Sequence, residues 1–246
     1  MTNHMVARFH ATNDLDAFLR TMQGLIDLVP PVGIYAGDNL FTYYRNLGFL
    51  EDQRFLAAFN KHTSTDTEKS IAWRLHTLCW AARRVMRLDG DLVECACYKG
   101  TSARIVADYV DLEASGKSLY LYDLFDHSDD MPHHRLEAHS ATLYDAVVQR
   151  FSDLSRVHVT QGRVPDTLRE IAPEKIAFLH LDLNNAAAEI GALEFLFDRV
   201  VPGGSIVFDD YGWRCYREQK IVEDAFLAAR DYQVLELPTG QGLLIK

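Results

Sequence analysis

Cysteine is scarce in this sequence, with four in 246 residues: Cys79, Cys95, Cys97 and Cys215. Cys95 and Cys97 alternate within an apolar run that is typical of a strand, so we expect packed or near-surface thiols rather than a disulfide. A structural zinc site needs four ligands at finger-like spacing, and the sequence does not offer them.

Long apolar runs are missing as well. No stretch approaches the roughly 20 apolar residues needed to span a bilayer. The opening residues, MTNHMVARFH, lack the apolar core of a secretory signal. We therefore expect a cytoplasmic protein without membrane attachment.

Positive charge is in the minority. The chain has 25 Lys and Arg against 35 Asp and Glu, which gives a formal net charge of -10. The sequence has no cluster of Lys and Arg that would form a local basic patch. Such a field repels phosphate backbones and anionic lipids. The expected partner is a small molecule rather than nucleic acid or a membrane.

The glycine-rich loop of dinucleotide-binding proteins is also absent. That loop, G-x-G-x-x-G, brings the backbone close to a pyrophosphate. The corresponding segment here, LVECACYKGTSAR, contains only Gly100, and Ala96 stands where an early glycine is expected. This disfavours a nicotinamide-dependent oxidoreductase. Glu94, an acid at the end of the apolar run, suits a cationic or hydroxyl-rich ligand instead.

Residues 1–88 are predicted to form an N-terminal helical cap or lid, because they show no strong strand pattern. Thr65 and Glu68 have the spacing of a capping box, which predicts the start of a long helix. Apolar residues follow every three or four positions and predict one buried helical face: Ile71, Leu75, Leu78, Ala82 and Val85.

Residues 89–246 are predicted to form the catalytic domain. Short apolar runs predict strands at 91–97, 118–123, 156–161, 175–182 and 204–210. Amphipathic stretches predict helices at 136–151, at 190–200 with a terminator at Pro202-Gly203-Gly204, and near 216–230. The segments QVLELP and GLLIK predict a closing hairpin. This alternation predicts an α/β fold: a Rossmann-like, mostly parallel sheet of seven strands with an antiparallel C-terminal strand.

Five acids lie at or near the ends of the predicted strands: Glu94, Asp123, Asp182, Asp209 and Asp210. Ligands of open doubly wound sheets bind beyond the carboxyl ends of the strands. Several carboxylates on one rim repel one another unless cations or hydroxyl donors are bound among them. The functional site is therefore expected at this edge of the sheet.

Two kinds of ligand are suggested by these acids. Asp123 follows Glu94 by 29 residues, where Rossmann-like sheets bind ribose hydroxyls, although an aspartate there is also a common helix cap. Asp182, Asp209 and Asp210 form a hard oxygen set that favours Mg²⁺, Mn²⁺ or Ca²⁺ over zinc. The alternative is that Asp210 caps a turn and Asp182 pairs with an arginine.

A polar segment after the second predicted strand contains four histidines: His127, His133, His134 and His139. Histidine titrates near neutrality, so this segment is a candidate metal site or source of a general base. The alternative is a solvated loop or a mobile lid.

These segments together resemble the macrocin O-methyltransferase family of the TylF/MycF type, class I methyltransferases that act mostly on sugar hydroxyls. The resemblance covers most of the chain and is carried by GDNLFTYYRNLGFLED, LVECACYKGTSAR, YLYDLFD, VTQGRVPDTL, FLHLDLN, VVPGGSIVFDDYGW and PTGQGLLI. Two positions differ from the family pattern. Ala96 replaces a frequent glycine, and Leu183-Asn184-Asn185 follow Asp182 where the family has a glycine or another acid and a tyrosine.

The resemblance implies that the chain binds S-adenosylmethionine (SAM) together with Mg²⁺ or another hard divalent cation. For the amino acid part of SAM it implies Glu94, Ala96, Tyr98, Gly100, Thr101 and Ser102. For the ribose it implies Asp123, and for the adenine Gln161 and Gly162. For the metal it implies Asp182, Asp209 and Asp210. A homo-oligomer is expected too, since such enzymes are often symmetric assemblies.

We expect methyl transfer to a hydroxyl of a sugar or a glycosylated natural product, with a metal that lowers the pKa of the reacting hydroxyl. Asp182 is the first choice as proton acceptor and His139 the second. Three alternatives remain: a metal-dependent methyltransferase of catechol-like phenols, a nicotinamide-dependent oxidoreductase, and a binding module without turnover, against which the three rim aspartates argue.

Overall fold

The computed structural model describes residues 3–127 and 135–246, in two compact units, Met1–His76 and Thr77–Lys246. The elements that begin in the first unit are β1 (His4–Met5), α1 (Leu15–Ile26), β2 (Tyr35–Gly37), β3 (Leu40–Thr42), α2 (Gln53–His62), α3 (Asp66–Ser70) and α4 (Ala72–Arg84). The predicted domain boundary after residue 88 stays a prediction.

A small sheet in the first unit has the order β1-β2-β3, with β1 parallel and β3 antiparallel to β2. The sequence predicted no strands there. The reason is length, because strands of two or three residues are too short to show the alternation by which strands are identified in a sequence.

The predicted long helix behind the capping box is interrupted. The box itself is confirmed: the Glu68 backbone N–H donates to Thr65 Oγ1 at 3.2 Å, and the Thr65 N–H donates to Glu68 Oε2 at 3.1 Å. The helix breaks at Ile71, between α3 and α4. The Tyr35 hydroxyl donates to the Ser70 carbonyl at 2.8 Å, a tertiary contact that the local sequence does not reveal.

The second unit contains β4 (Asp91–Cys95), α5 (Thr101–Val110), α6 (Leu112–Ser115), β5 (Leu119–Asp123), α7 (Leu143–Arg150), β6 (Val157–Gln161), β7 (Ile176–Leu181), α8 (Ala186–Leu196), β8 (Val200–Phe208), α9 (Arg217–Ala228), β9 (Leu235–Glu236) and β10 (Gly242–Ile245). Its seven strands have the order β6-β5-β4-β7-β8-β10-β9. The strands β4 to β8 pair in parallel, and β10 runs antiparallel to β8 and β9. The predicted sheet is thus confirmed.

Two details of this unit differ from the sequence prediction. The glycines after Pro202 do not end a helix, because α8 ends at Leu196 and β8 begins at Val200. The pairing of β7 with β8 shifts register just before Ser205, and this irregularity accommodates the proline within a strand. Leu136 lies outside α7, which begins at Leu143.

The core of the second unit is built around the central parallel strands. Residues Ile176–Leu181 of β7 are all buried, as are the last four residues of β4. Strands covered on both faces read as continuous apolar runs, which explains why the sequence pattern identified them. Their carboxyl ends bring Glu94, Asp123, Asp182 and Asp209 to one edge of the sheet. No helix among the described residues is long and apolar enough to cross a membrane.

Candidate active site

A cavity of about 350 Å³ opens at the carboxyl ends of the parallel strands. Six of its lining residues are site residues predicted from the sequence: Ala96, Tyr98, Asp123, His139, Gly162 and Asp182. The segments 163–165 and 183–185 also line it and were not predicted as site residues. They follow Gly162 and Asp182 directly, and this adjacency is the only indication of their role in the sequence.

The turn between β4 and α5 has an unusual backbone. Ala96, Tyr98 and Gly100 have φ values of 67°, 49° and 69°, in the left-handed region that side chains avoid. At position 100 only glycine fits, since a Cβ there would lie 2.8 Å from Cε2 of Phe151. Ala96 is held in a backbone conformation that glycine adopts without strain. Thr101 and Ser102 follow as the first residues of α5.

Asp123 ends β5 with its carboxylate held by two backbone donors. The Tyr98 N–H donates to Oδ2 at 2.7 Å, and the Phe125 N–H donates to Oδ1 at 2.6 Å. The side chain is buried yet lines the cavity. A carboxylate oxygen has a second acceptor position, so Asp123 is able to bind ribose hydroxyls while it keeps both backbone bonds.

Gly162 lies beside Asp123, whose carbonyl accepts a hydrogen bond from the Gly162 N–H at 2.9 Å. Its φ is 151°, and a Cβ would lie 2.2 Å from Cγ2 of Thr167, so the chain requires glycine here. The neighbouring Gln161 is exposed and does not line the cavity; its side-chain amide donates to the Leu124 carbonyl at 3.4 Å.

Three candidate ligand atoms lie close together beside the cavity, which Asp182 lines and His180 and Asp209 do not. They belong to His180, Asp182 and Asp209 and lie within 4.8 Å of one another. Asp210, predicted as the third metal ligand, is not in this group of described residues, whereas His180 was not predicted. His180 precedes Asp182 by two positions, and residues with that spacing in a strand share a face. This periodicity is the feature by which the sequence could have identified it.

His180 is fully buried between two acids. Its Nε2 lies 3.3 Å from Asp209 Oδ1, and its Nδ1 lies 3.5 Å from Glu94 Oε1. Burial acts to lower the pKa of His180, but Glu94 and Asp209 outweigh it and raise that pKa well above its usual value. Glu94 therefore contacts His180 and does not line the cavity, whereas Ala96, two residues further along the chain, does.

The donor set at the rim fits a divalent metal ion. The carboxylates of Asp182 and Asp209 supply hard oxygen ligands that suit Mg²⁺ or Mn²⁺. Both ring nitrogens of His180 are directed at Glu94 and Asp209, so His180 contacts this site as a hydrogen-bond donor rather than as a ligand.

His139 is buried and lines the cavity. Its Nδ1 accepts the Leu136 backbone N–H at 3.2 Å, and its ring packs edge-on against Tyr98. The neutral ring therefore holds its proton on Nε2. The Tyr98 hydroxyl accepts the Ala138 N–H at 2.7 Å, which ties this loop to the β4–α5 turn. His133 and His134 lie outside the described residues.

The loop after Asp182 is fixed by buried polar contacts. Asn185 caps α8 by accepting the N–H groups of its first turn. Glu189 accepts the Leu183 N–H at 3.1 Å and the Gln219 side-chain amide at 3.0 Å. Burial raises the pKa of Glu189 to about 7, although these hydrogen bonds favour the ionised form. The segment that departs from the family pattern is thus an ordered wall of the cavity.

The same fold occurs in solved methyltransferases. The O-methyltransferase NovP has a TM-score of 0.61 and 20% identity, over 75% of this chain and 82% of that chain. The calicheamicin methyltransferase CalS11 has a TM-score of 0.57 and 14% sequence identity, over 96% of this chain and 94% of that chain. PaMTH1 of Podospora anserina was solved with S-adenosylhomocysteine (SAH) bound. It has a TM-score of 0.54 and 13% sequence identity, over 98% of both chains. No curated protein matches by sequence. The sheet therefore has the class I methyltransferase fold.

The family follows from the sequence match. The macrocin O-methyltransferase (TylF) family model matches residues 70–233, and the chain belongs to that family. It is a SAM-dependent O-methyltransferase. The resemblance stated from the motifs is confirmed, and the nicotinamide-dependent oxidoreductase is set aside.

Proposed function

We propose that this enzyme methylates a hydroxyl group of a sugar or a glycosylated small molecule and that it requires a divalent metal ion. The observation that carries the proposal is the convergence of His180, Asp182 and Asp209 within 4.8 Å at the rim of the cavity that Asp123 lines. Two carboxylates this close together, one of them buried, favour a cation between them.

The choice of a sugar acceptor is supported by the family and by one neighbour. CalS11 is described as a TDP-rhamnose 3'-O-methyltransferase. The cavity wall of this chain includes the side-chain amides of Asn184 and Asn185, although the Asn185 oxygen already caps α8 and only its NH₂ group remains. Amides donate and accept hydrogen bonds, so they suit neighbouring hydroxyl groups better than they suit an aromatic ring.

The cofactor-binding roles are assigned by position. Asp123 receives the ribose of SAM, the turn from Ala96 to Gly100 holds its amino acid part, and Gly162 leaves room for the adenine. Because the backbone of Tyr98 bonds to Asp123, the turn and the ribose acceptor are fixed as one unit. A preformed site of this kind lowers the entropic cost of binding.

Deprotonation of the acceptor is assigned to Asp182. It lines the cavity and belongs to the rim group, whereas Asp209 is engaged by His180. A divalent ion held by Asp182 and Asp209 would supply the acidity that allows a hydroxyl to lose its proton near neutral pH. His139 is assigned as a hydrogen-bond donor to the acceptor, since its Nδ1 already accepts a backbone N–H.

Titration calorimetry on the metal-stripped protein tests this function. SAM is titrated first, followed by Mg²⁺ or Mn²⁺, and then by a nucleotide-linked deoxysugar or a catechol. We expect SAM to bind without metal, and the sugar to bind and be methylated only when metal is present. Asp209→Asn should lose metal binding, and Asp166→Asn, an exposed aspartate outside the cavity, is the matched control.

Two results would count against the proposal. Methylation at full rate in the presence of a chelator would remove the metal requirement. Turnover of catechols but not of sugars would move the enzyme to the phenol-methylating class.

A further inference from the structure

The turn that joins β9 to β10 reaches the acid rim. It contains the sequence Pro-Thr-Gly-Gln at 238–241 and is closed by backbone bonds between Leu237 and Gln241 at 2.8 Å and between Gly240 and Leu237 at 3.0 Å. Gly242 pairs with Phe208 at the end of β8. This register places Gln241 opposite Asp209, although 32 residues separate them.

Gln241 is completely buried and donates from Nε2 to Asp209 Oδ1 at 2.9 Å. The orientation of its amide is set by Thr239, whose hydroxyl donates to Gln241 Oε1 at 3.0 Å. With the carbonyl side taken by a hydroxyl, the NH₂ side faces the carboxylate. The reversed amide would set two acceptors against each other at Asp209.

Asp209 Oδ1 thus accepts from two buried donors, Gln241 Nε2 at 2.9 Å and His180 Nε2 at 3.3 Å. His180 lies in β7 and Gln241 directly precedes β10, the two strands on either side of β8, so the donors fix the rotation of the carboxylate from both sides. A carboxylate oriented in this way presents Oδ2 in a defined direction. Substitution of a group that orients a metal ligand typically lowers metal affinity by about 10–100-fold.

We propose that Gln241 is a positioning residue that orients Asp209 as a metal ligand, with Thr239 setting the direction of the Gln241 amide. The inference rests on the proposed metal-dependent function, and it assigns a role to the PTGQ turn beyond that of a hairpin connection. Gln241 acts through Asp209 and does not itself line the cavity.

The test compares Mn²⁺ and SAM binding in parent and variants by titration calorimetry, with Mn²⁺ also followed by its electron paramagnetic resonance. Gln241→Met keeps the length of the side chain and removes the donor. We expect it to weaken Mn²⁺ binding ~10–100-fold while SAM affinity stays within about twofold, because Asp123 and its turn are unchanged.

A matched pair at position 239 separates orientation from packing. Thr239→Val keeps the shape and removes the hydroxyl, whereas Thr239→Ser keeps the hydroxyl. We expect the valine variant to weaken Mn²⁺ binding and the serine variant to bind as the parent does. This pair tests the proposal even if Gln241→Met does not fold.

The outcomes are distinct. A parent protein that binds no Mn²⁺ overturns both the proposed metal requirement and this inference. If the parent binds Mn²⁺ and Gln241→Met binds it equally well, the inference alone fails. Equal losses of Mn²⁺ and SAM binding in Gln241→Met, or equal behaviour of the two Thr239 variants, would assign the turn a purely structural role.

Discussion

His180 Nε2 lies 3.3 Å from Asp209 Oδ1, on a neighbouring parallel strand, while the other ring nitrogen of His180 lies 3.5 Å from Glu94. A single buried imidazole therefore contacts an acid of β4 and an acid of the proposed metal site. The carboxyl ends of β4 and β8 are linked through this side chain. A substitution of Glu94 or of Asp209 is therefore expected to change the electrostatic environment of the other acid through His180.

Asp182→Asn is expected to lower kcat by ~100-fold or more, because it removes the proposed proton acceptor. SAM affinity should stay within about twofold, since the contacts of Asp123 are untouched. Steady-state kinetics and calorimetry measure the two effects, with Asp166→Asn as the control. His139→Gln should lower kcat by less than ~10-fold if His139 is a donor rather than the base. A larger loss for His139→Gln than for Asp182→Asn would reverse the two assignments.

Gly162→Ala is expected to destabilise the protein by about 1–3 kcal/mol, because the added Cβ would lie 2.2 Å from Thr167 Cγ2. For a protein of this size each kcal/mol lowers the melting temperature by about 2–4 °C. SAM affinity should fall as well, since the strand end beside Asp123 must shift.

The double variant Gly162→Ala/Thr167→Ser removes the methyl group in the way and retains the hydroxyl. It should recover part of the melting temperature, the remainder being due to the backbone φ of 151°. Thermal unfolding of the two variants and of Thr167→Ser alone decides the matter. No recovery in the double variant would show that the side-chain clash is not the cause.

Ionisation of Glu223 on α9 is expected to lower the free energy of unfolding as the pH rises. Burial, with Glu189 and Asp224 nearby, raises its pKa from 4.5 to about 9, and burial raises that of Glu189 to about 7. Between pH 4.5 and these raised pKa values, Glu189 and Glu223 keep protons in the folded protein that they have lost in the unfolded chain. The free energy of unfolding therefore falls with pH, from about 4.5 to 7 through both groups and up to about 9 through Glu223.

Glu223→Gln removes the ionisation of Glu223. Its free energy of unfolding at pH 9 should exceed that of the parent by about 1–3 kcal/mol, with a smaller difference at pH 5. Urea unfolding at the two pH values provides the measurement, and Glu218→Gln, exposed on the same helix, is the control. The same pH dependence in parent and Glu223→Gln would mean that Glu223 is ionised in the fold.

The sequence determined the sheet of the second unit because buried parallel strands appear in a sequence as short, nearly continuous apolar runs. Each strand from β4 to β8 is a short run between amphipathic stretches, and acids lie at or directly after the ends of β5, β7 and β8. The rule that ligands bind beyond those ends was enough to select Asp123 and Asp182, which line the cavity. Local periodicity also identified the capping box of Thr65 and Glu68.

Tertiary structure alone decided which groups meet. His180 reads in the sequence as one more member of a buried strand, and only the pairing of β7 with β4 and β8 sets it between Glu94 and Asp209. Gln241 reaches Asp209 through a hairpin register that no local pattern specifies. Sequence periodicity fixes the face on which a side chain lies, whereas contacts between residues far apart in the chain depend on how strands are ordered and aligned.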